Sequence, residues 1–164
     1  MIPDTGWSAD ILATHEAKLL SYAQSLIGDR DQARDFVQET FLRLMKQDPV
    51  QLNGRVTPWL YRVCRNLVID HQRKERRMMH LASEPIAEQT PHHVIERKDL
   101  SQHVLSCVAQ LPANQQEVVR LKFQAGMSYK EIAEVMGLSP SNVGFLLHTA
   151  ISALRVRLGK ESLS

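Results

Sequence analysis

The stretch Ser128-Tyr129-Lys130-Glu131-Ile132-Ala133-Glu134-Val135-Met136-Gly137-Leu138-Ser139-Pro140-Ser141-Asn142-Val143-Gly144-Phe145-Leu146-Leu147-His148 decides the fold class. Ser128 and Glu131 stand three apart, the spacing at which each side chain can cap the other's backbone N–H. Ile132, Ala133 and Met136 give the short helix that follows one apolar side. Gly137-Leu138-Ser139 is a turn of the length a helix-turn-helix needs, and Ser139 with Pro140 caps and starts a second helix. That helix buries Val143, Leu146, Leu147, Ala150, Leu154 and Leu158. Its free side carries Ser141, Phe145, His148, Ser152 and Arg155, with Asn142, Gly144 and Thr149 beside them near the amino end. In a helix-turn-helix this amino-terminal part reads base edges in the major groove, where Asn can pair with adenine and an apolar ring can touch a thymine methyl. Phe145, an apolar ring on a polar face, points to contact with DNA, a partner or a neighbouring helix. Arg155, Arg157 and Lys160 are better placed for phosphates. The rival reading is a helical hairpin in a generic bundle.

A second and different nucleic-acid surface lies upstream. Thr57 and Pro58 have the types favoured at a helix cap and first position, opening a helix over Trp59 to Arg77. Leu60, Val63, Cys64, Leu67, Val68 and His71 form its apolar stripe. The remainder carries Arg62, Arg65, Asn66, Arg73, Lys74, Arg76 and Arg77 against only Asp70 and Glu75, a surplus that favours a phosphate backbone over a merely solvated face. Trp59 and Tyr61 at its start can stack on unpaired bases, or serve as a core anchor and a half-buried ring. The preceding loop, residues 50–57, either presents side chains to a ligand or simply connects two helices.

The amino-terminal part continues the helical pattern. Ser8 can cap a helix with Ile11, Leu12, His15, Leu19, Tyr22, Ala23 and Leu26 on its apolar side and Gly28 as its stop. A further helix starts near Asp31, buries Ala33, Phe36, Val37, Thr40, Phe41, Leu44 and Met45, and stops at Asp48-Pro49. On its other side Asp35, Gln38, Glu39 and Leu42 line up at i, i+3, i+4, i+7. Periodicity alone reads this stripe as a solvated face, supported by a Glu39 to Arg43 pair.

After Met78 and Met79 the pattern dissolves into a soft, mildly acidic segment with Glu84, Glu88 and Pro91; His92-His93 lacks further ligands nearby and is read as solvated rather than metal-binding. The pattern resumes with Leu100, Val104, Cys107, Val108 and Leu111, halted by Pro112. Asn114 and Glu117 again have capping-box spacing, and Val118, Leu121 and Ala125 form a packing face before Gly126. The fold class is therefore all-α: two small helical domains on a flexible linker, with residues 1–78, 79–93 and 94–164 as first domain, linker and helix-turn-helix domain.

The chain's 164 residues, 43% hydrophobic and 23% charged, suffice for two thin-cored helical domains. A net charge of +2 requires any polyanion binding to come from local clustering. Cys64 and Cys107 sit on apolar stripes without metal-ligand spacing, as expected of buried thiols in a reducing compartment. No secretory segment and no membrane-length apolar run is found, so a soluble, cytoplasmic protein without membrane insertion is expected.

These residues resemble the extracytoplasmic-function (ECF) group of bacterial sigma factors over almost the whole chain. The segment Ala33-Arg34-Asp35-Phe36-Val37-Gln38-Glu39-Thr40-Phe41-Leu42-Arg43-Leu44 is similar to the family's polymerase-binding helix. Pro58-Trp59-Leu60-Tyr61-Arg62-Val63-Cys64-Arg65-Asn66-Leu67-Val68-Ile69-Asp70 is similar to its promoter-melting helix. Leu111-Pro112, Gln116-Glu117-Val118, and Gly126-Met127-Ser128-Tyr129-Lys130-Glu131-Ile132-Ala133 with Gly137-Leu138-Ser139 resemble its carboxy-terminal domain.

The resemblance implies an initiation factor without cofactor, metal or covalent chemistry of its own. Its partners would be core RNA polymerase (β′ clamp helices and β subunit), promoter DNA and an anti-sigma factor. Asp35, Gln38, Glu39 and Leu42 would dock on the clamp helices. The loop from Gln51 to Thr57, with Asn53 and Arg55, would hold a flipped base of the minus-ten element, and Trp59, Tyr61, Arg62, Arg65, Asn66, Arg73 and Arg76 would lie along the adjoining DNA. Unstacking a base costs a few kcal/mol, which a pocket for the extruded base can offset. Ser141, Asn142, Gly144, Phe145, His148, Thr149, Ser152 and Arg155 would face the minus-thirty-five element. Family members often carry Arg or Lys along this last helix. Here Ser141 to Thr149 holds none, which implies a weaker electrostatic grip from that helix.

Two other classes are weighed. A conventional regulator would use the helix-turn-helix alone, which leaves the nucleic-acid features of the first half unexplained. An enzyme would need a nucleophile, paired-carboxylate or phosphate-loop arrangement, and none has a recognisable spacing; Asp35 and Glu39 on one open face lack the necessary enclosure.

Overall fold

The computed structural model describes residues 5–81 and 100–162. Among them are seven α-helices, one π-helical turn and no strand. The chain divides into two compact units, Met1–Thr90 and Pro91–Ser164. Of the linker expected at 79–93, Met79 to Leu81 instead continue a helix, and residues 82–93, with Glu84, Glu88 and His92-His93, lie outside the described residues.

The first unit packs three helices against one another: α1 (Thr5–Ile27), α2 (Arg30–Met45) and α3 (Val56–Leu81). Helix α1 begins upstream of Ser8, which lies inside it rather than at its cap. Gly28 ends it at φ 80°, its N–H donating to the Gln24 carbonyl at 2.8 Å. Asp29 then caps α2, its carboxylate accepting from the N–H groups of Asp31 and Gln32 at 2.9 and 3.3 Å, so this helix starts slightly earlier than expected. Ala33, Val37, Thr40, Phe41 and Leu44 are buried. Phe36 is only half-buried, and Met45, expected inside, is 50% exposed in the last turn. Helix α2 ends at Met45 with Lys46 as its C-cap, ahead of Asp48-Pro49.

These side chains meet Leu19, Tyr22, Ala23, Leu60, Tyr61, Cys64 and Val68 in one core. Each fully buried Leu or Val there stabilises the fold by about 1.5–3 kcal/mol. Buried Thr40 satisfies its hydroxyl on the Phe36 carbonyl at 2.7 Å. Gln72 Nε2 donates to the Leu26 carbonyl at 3.0 Å, tying α3 to the end of α1.

The second unit consists of α4 (Leu100–Ala109), α5 (Ala113–Val119), a π turn (Arg120–Gln124), α6 (Tyr129–Met136) and α7 (Pro140–Ser162), with α7 packing on α4, α5 and α6. Asn114 and Glu117 do not form the expected capping box. Helix α5 starts directly after Pro112, with Gln116 N–H on the Pro112 carbonyl at 2.9 Å, so Asn114 is already helical and Glu117 turns inward to 6% exposure. The capping box at α6 does form: Ser128 Oγ accepts from Glu131 N–H at 3.1 Å, and Glu131 Oε1 accepts from Ser128 N–H at 3.0 Å. Gly137 ends α6 at φ 68°, a left-handed conformation that favours glycine, and Ser139 Oγ caps α7 through Asn142 N–H at 3.1 Å.

Candidate functional site

Three exposed faces carry the residues of interest, two on the first unit and one on the second. On α2, burial of the opposite side turns Asp35, Gln38, Glu39 and Leu42 outward together, and Leu42 is 55% exposed. Arg43 Nε lies 3.2 Å from Glu39 Oε1, a solvent-screened pair that contributes little to stability. Gln38 also borders an open cleft of about 540 Å³ between α1 and α2, lined by Ala13, Glu16, Ala17, Leu20, Arg34 and Val37.

The second face comprises the loop before α3 and that helix's outer side. Asp48 Oδ1 accepts from Val50 N–H at 3.0 Å, and Leu52 turns into the core at 8% exposure. Burial of Leu52 anchors the loop, and Asn53 beside it stays exposed. Gly54 at φ 74° redirects the chain, and the Arg55 carbonyl already accepts from Trp59 N–H at 3.1 Å. Helix α3 therefore begins at Val56, with Thr57 and Pro58 inside its first turn rather than at its cap; the missing proline N–H costs nothing there. Arg55, Arg62, Asn66, Arg73 and Arg76 are exposed, and Trp59 and Arg65 are half-buried. The helical positions 62, 66, 73 and 76 share one face by spacing.

Tyr61 does not belong to that surface. It is 2% exposed, with its ring 5.0 Å from that of Tyr22 at 59°, and burial pushes its hydroxyl up to about 12. Stacking on a base would require removing it from the core. Three positions along, burial likewise pushes the Cys64 thiol up to about 12, opposed by a hydrogen bond with Thr40. Cys64 and Cys107 are both buried. His71 packs edge-on to Phe36 at 5.3 Å and sits 3.1 Å from Glu75 Oε1, at an angle that makes no hydrogen bond.

On the second unit, Val143, Leu146, Leu147 and Ala150 are buried, which leaves Ser141, Asn142, Phe145, His148, Ser152 and Arg155 exposed along α7. Phe145 is 66% exposed, so of its three possible settings a neighbouring helix within this unit is excluded. Thr149 is half-buried and donates to the Phe145 carbonyl at 2.9 Å. Gly144 is half-buried against the ring of Tyr129; a methyl there would lie 3.4 Å from Tyr129 Cε2. Arg157, expected from its position to suit phosphate contacts, has Nη1 hydrogen-bonded to the Gln110 side chain on the segment after α4. Sequence reasoning passed over Lys122, whose ammonium lies 5.4 Å from the Tyr129 ring centre and donates to the Met127 carbonyl at 3.3 Å. Its only sequence signal was a cation among the apolar positions Val118, Leu121 and Ala125.

A helix-turn-helix unit accompanied by a three-helix unit with a basic outer helix defines a DNA-dependent transcription factor. Residues 11–78 match the family model for sigma-70 region 2, and residues 101–154 match that for sigma-70 region 4. The ECF RNA polymerase sigma factor SigL of Mycobacterium tuberculosis is 34% identical over 151 residues, spanning 88% of this chain and 84% of that protein. SigM of Bacillus subtilis, another ECF sigma factor, is 31% identical over 137 residues, 80% of this chain and 82% of its own length. The sigma factor RpoE of Bartonella quintana, solved in complex with the anti-sigma factor NepR, superposes with a TM-score of 0.74 at 25% identity, covering 92% of this chain and 96% of that one. The chain belongs to the ECF RNA polymerase sigma factors of the sigma-70 family. Its function is accordingly promoter-directed initiation with core polymerase, not the polymerase-independent duplex binding of a conventional regulator. Sigma factors are initiation factors without catalysis of their own. No helix among the described residues is long and apolar enough to cross a membrane.

Proposed function

We propose that the two units divide the work of initiation. The first, within residues 1–78, docks on core polymerase through Asp35, Gln38, Glu39 and Leu42, and opens the minus-ten region. Asn53 and Arg55 lie at the loop that receives an extruded base, Trp59 stands beside it, and Arg62, Arg65, Asn66, Arg73 and Arg76 grip the adjoining strand. The buried ring of Tyr61 supports this helix from inside. The second unit, within residues 94–164, reads the minus-thirty-five duplex through Ser141, Asn142, Gly144, Phe145, His148, Thr149, Ser152 and Arg155. The observation that carries the assignment is the exposure of one whole polar row with an apolar member, Leu42, on a helix whose opposite side is buried. An apolar side chain among open polar ones suits a desolvated protein interface better than it suits water.

The chain performs no covalent chemistry, acts in the cytoplasm and is restrained by an anti-sigma protein; the RpoE–NepR complex supports that last reading. A pull-down of core polymerase tests the docking row. Leu42→Arg is expected to lower capture at least tenfold with unchanged thermal stability, since the residue is exposed. Wild-type-like capture would remove α2 from the interface.

A further inference from the structure

Helix α1 keeps one side that the core of its own unit does not use. Ala13, Glu16, Ala17 and Leu20 recur at i, i+3, i+4 and i+7, the spacing by which one helix presents a continuous stripe to another. The first three are exposed and Leu20 is half-buried, whereas the stripe that packs inward is carried by Leu19, Tyr22 and Ala23. Together with Arg34 and Val37 of α2, the outer stripe lines the open cleft of about 540 Å³. A groove between two helices is a seat for one face of a third. Ala13 and Ala17 put nothing larger than a methyl on the α1 wall, which lets a helix laid there approach closely.

The charges indicate which helix fits. Glu16 stands on the α1 wall and Arg34 on the α2 wall; both are exposed, and among the described residues neither side chain has a hydrogen bond or ion pair. One acid and one base on facing walls make the cleft its own electrostatic complement. A half-turn about an axis through it sets Glu16 of one copy against Arg34 of the other, and the second such pair follows by symmetry. A guanidinium meets a carboxylate through two parallel N–H donors, so the pairing carries orientation as well as charge. We infer that the α1–α2 cleft is the contact face of a symmetric dimer of this chain. Gln38 lines the same cleft and belongs to the row that docks on polymerase, so the dimer and the polymerase complex exclude each other; this consequence rests on the docking reading of α2. Dimerisation thereby withdraws the factor from polymerase as its concentration rises, without a second protein. The paired charges are open to solvent and the lining side chains are small, so the association is weak, in the micromolar range.

Sedimentation velocity of the full-length chain at low salt, over about 1–100 µM, tests the dimer. The mass is expected to rise from 18.7 kDa toward twice that value. Glu16→Arg and Arg34→Glu, each at an exposed position, should weaken self-association at least tenfold with unchanged melting temperature, since either one opposes like charges at both symmetric contacts. Mixing the two single variants should restore a dimer that neither forms alone, and so should the double reversal, because every contact between the two positions again joins opposite charges. A chain that stays monomeric throughout overturns the proposal and leaves the cleft to a helix of another protein. A dimer indifferent to both reversals overturns it too, since it forms through a different face. The polymerase arm uses two differently tagged copies of the wild-type chain: core enzyme captured through one tag is expected to carry none of the other. Core enzyme carrying both tags overturns the exclusion, and with it the docking reading of α2, while the dimer stands; normal capture of a chain that never dimerises removes this proposal alone.

Discussion

Two aromatic residues with similar claims on DNA part company in the folded chain. Tyr61 is 2% exposed and Phe145 is 66% exposed, so one ring is structural and the other is free to bind. Their substitutions should separate cleanly. Tyr61→Ala opens a cavity among Tyr22, Cys64 and their neighbours and is expected to lower stability by about 3–5 kcal/mol, read by urea unfolding. A loss below about 1 kcal/mol would contradict the burial. Phe145→Ala should leave stability within about 0.5 kcal/mol, while reducing run-off transcription from the cognate promoter with polymerase capture intact. Undiminished promoter use would take the ring off the DNA surface. Glu117 makes the same point for a charged side chain: its sequence spacing suits a cap, but the helix begins too early for it to serve as one, and it lies inside.

Among the elements, caps and stops set where the functional faces fall. The reciprocal Ser128–Glu131 box fixes the start of α6, and Gly137 with Ser139 fixes the turn that aims α7. Ser128→Ala is expected to lower stability by about 1 kcal/mol, because it leaves the Glu131 N–H without its acceptor. A differential scan of the melting transition would show this, and no shift would mean the box is redundant. The same caps position Tyr129, the first residue of α6, beside Gly144. In the first unit the comparable device is the turn at Gly54 and Arg55, which starts α3 at Val56 and leaves Asn53 outside while Leu52 is drawn in.

At the level of the whole molecule, a net charge of only +2 spread over two units means that neither attracts DNA by bulk electrostatics. Strong promoter binding should therefore require the polymerase to bring both DNA surfaces to bear at once. Gel shifts with the promoter fragment should show a retarded complex with protein plus core enzyme and no comparable complex with protein alone at low micromolar concentration. Tight binding by the free protein would instead favour a self-sufficient regulator. What the amino-acid order determined by itself was everything local: the all-α class, the Ser128 and Ser139 caps, the Gly28, Gly126 and Gly137 stops, and the polar rows on α2 and α7. Those features depend on interactions within about four residues of one another, which spacing displays directly. Tertiary structure decided which side chains lie inside, as Tyr61, Leu52 and Glu117 do, and which distant residues meet, as Arg157 does with Gln110 and Tyr129 with Gly144. Burial and juxtaposition are set by the elements that pack across a gap in sequence, and no periodicity along one helix records what will cover it.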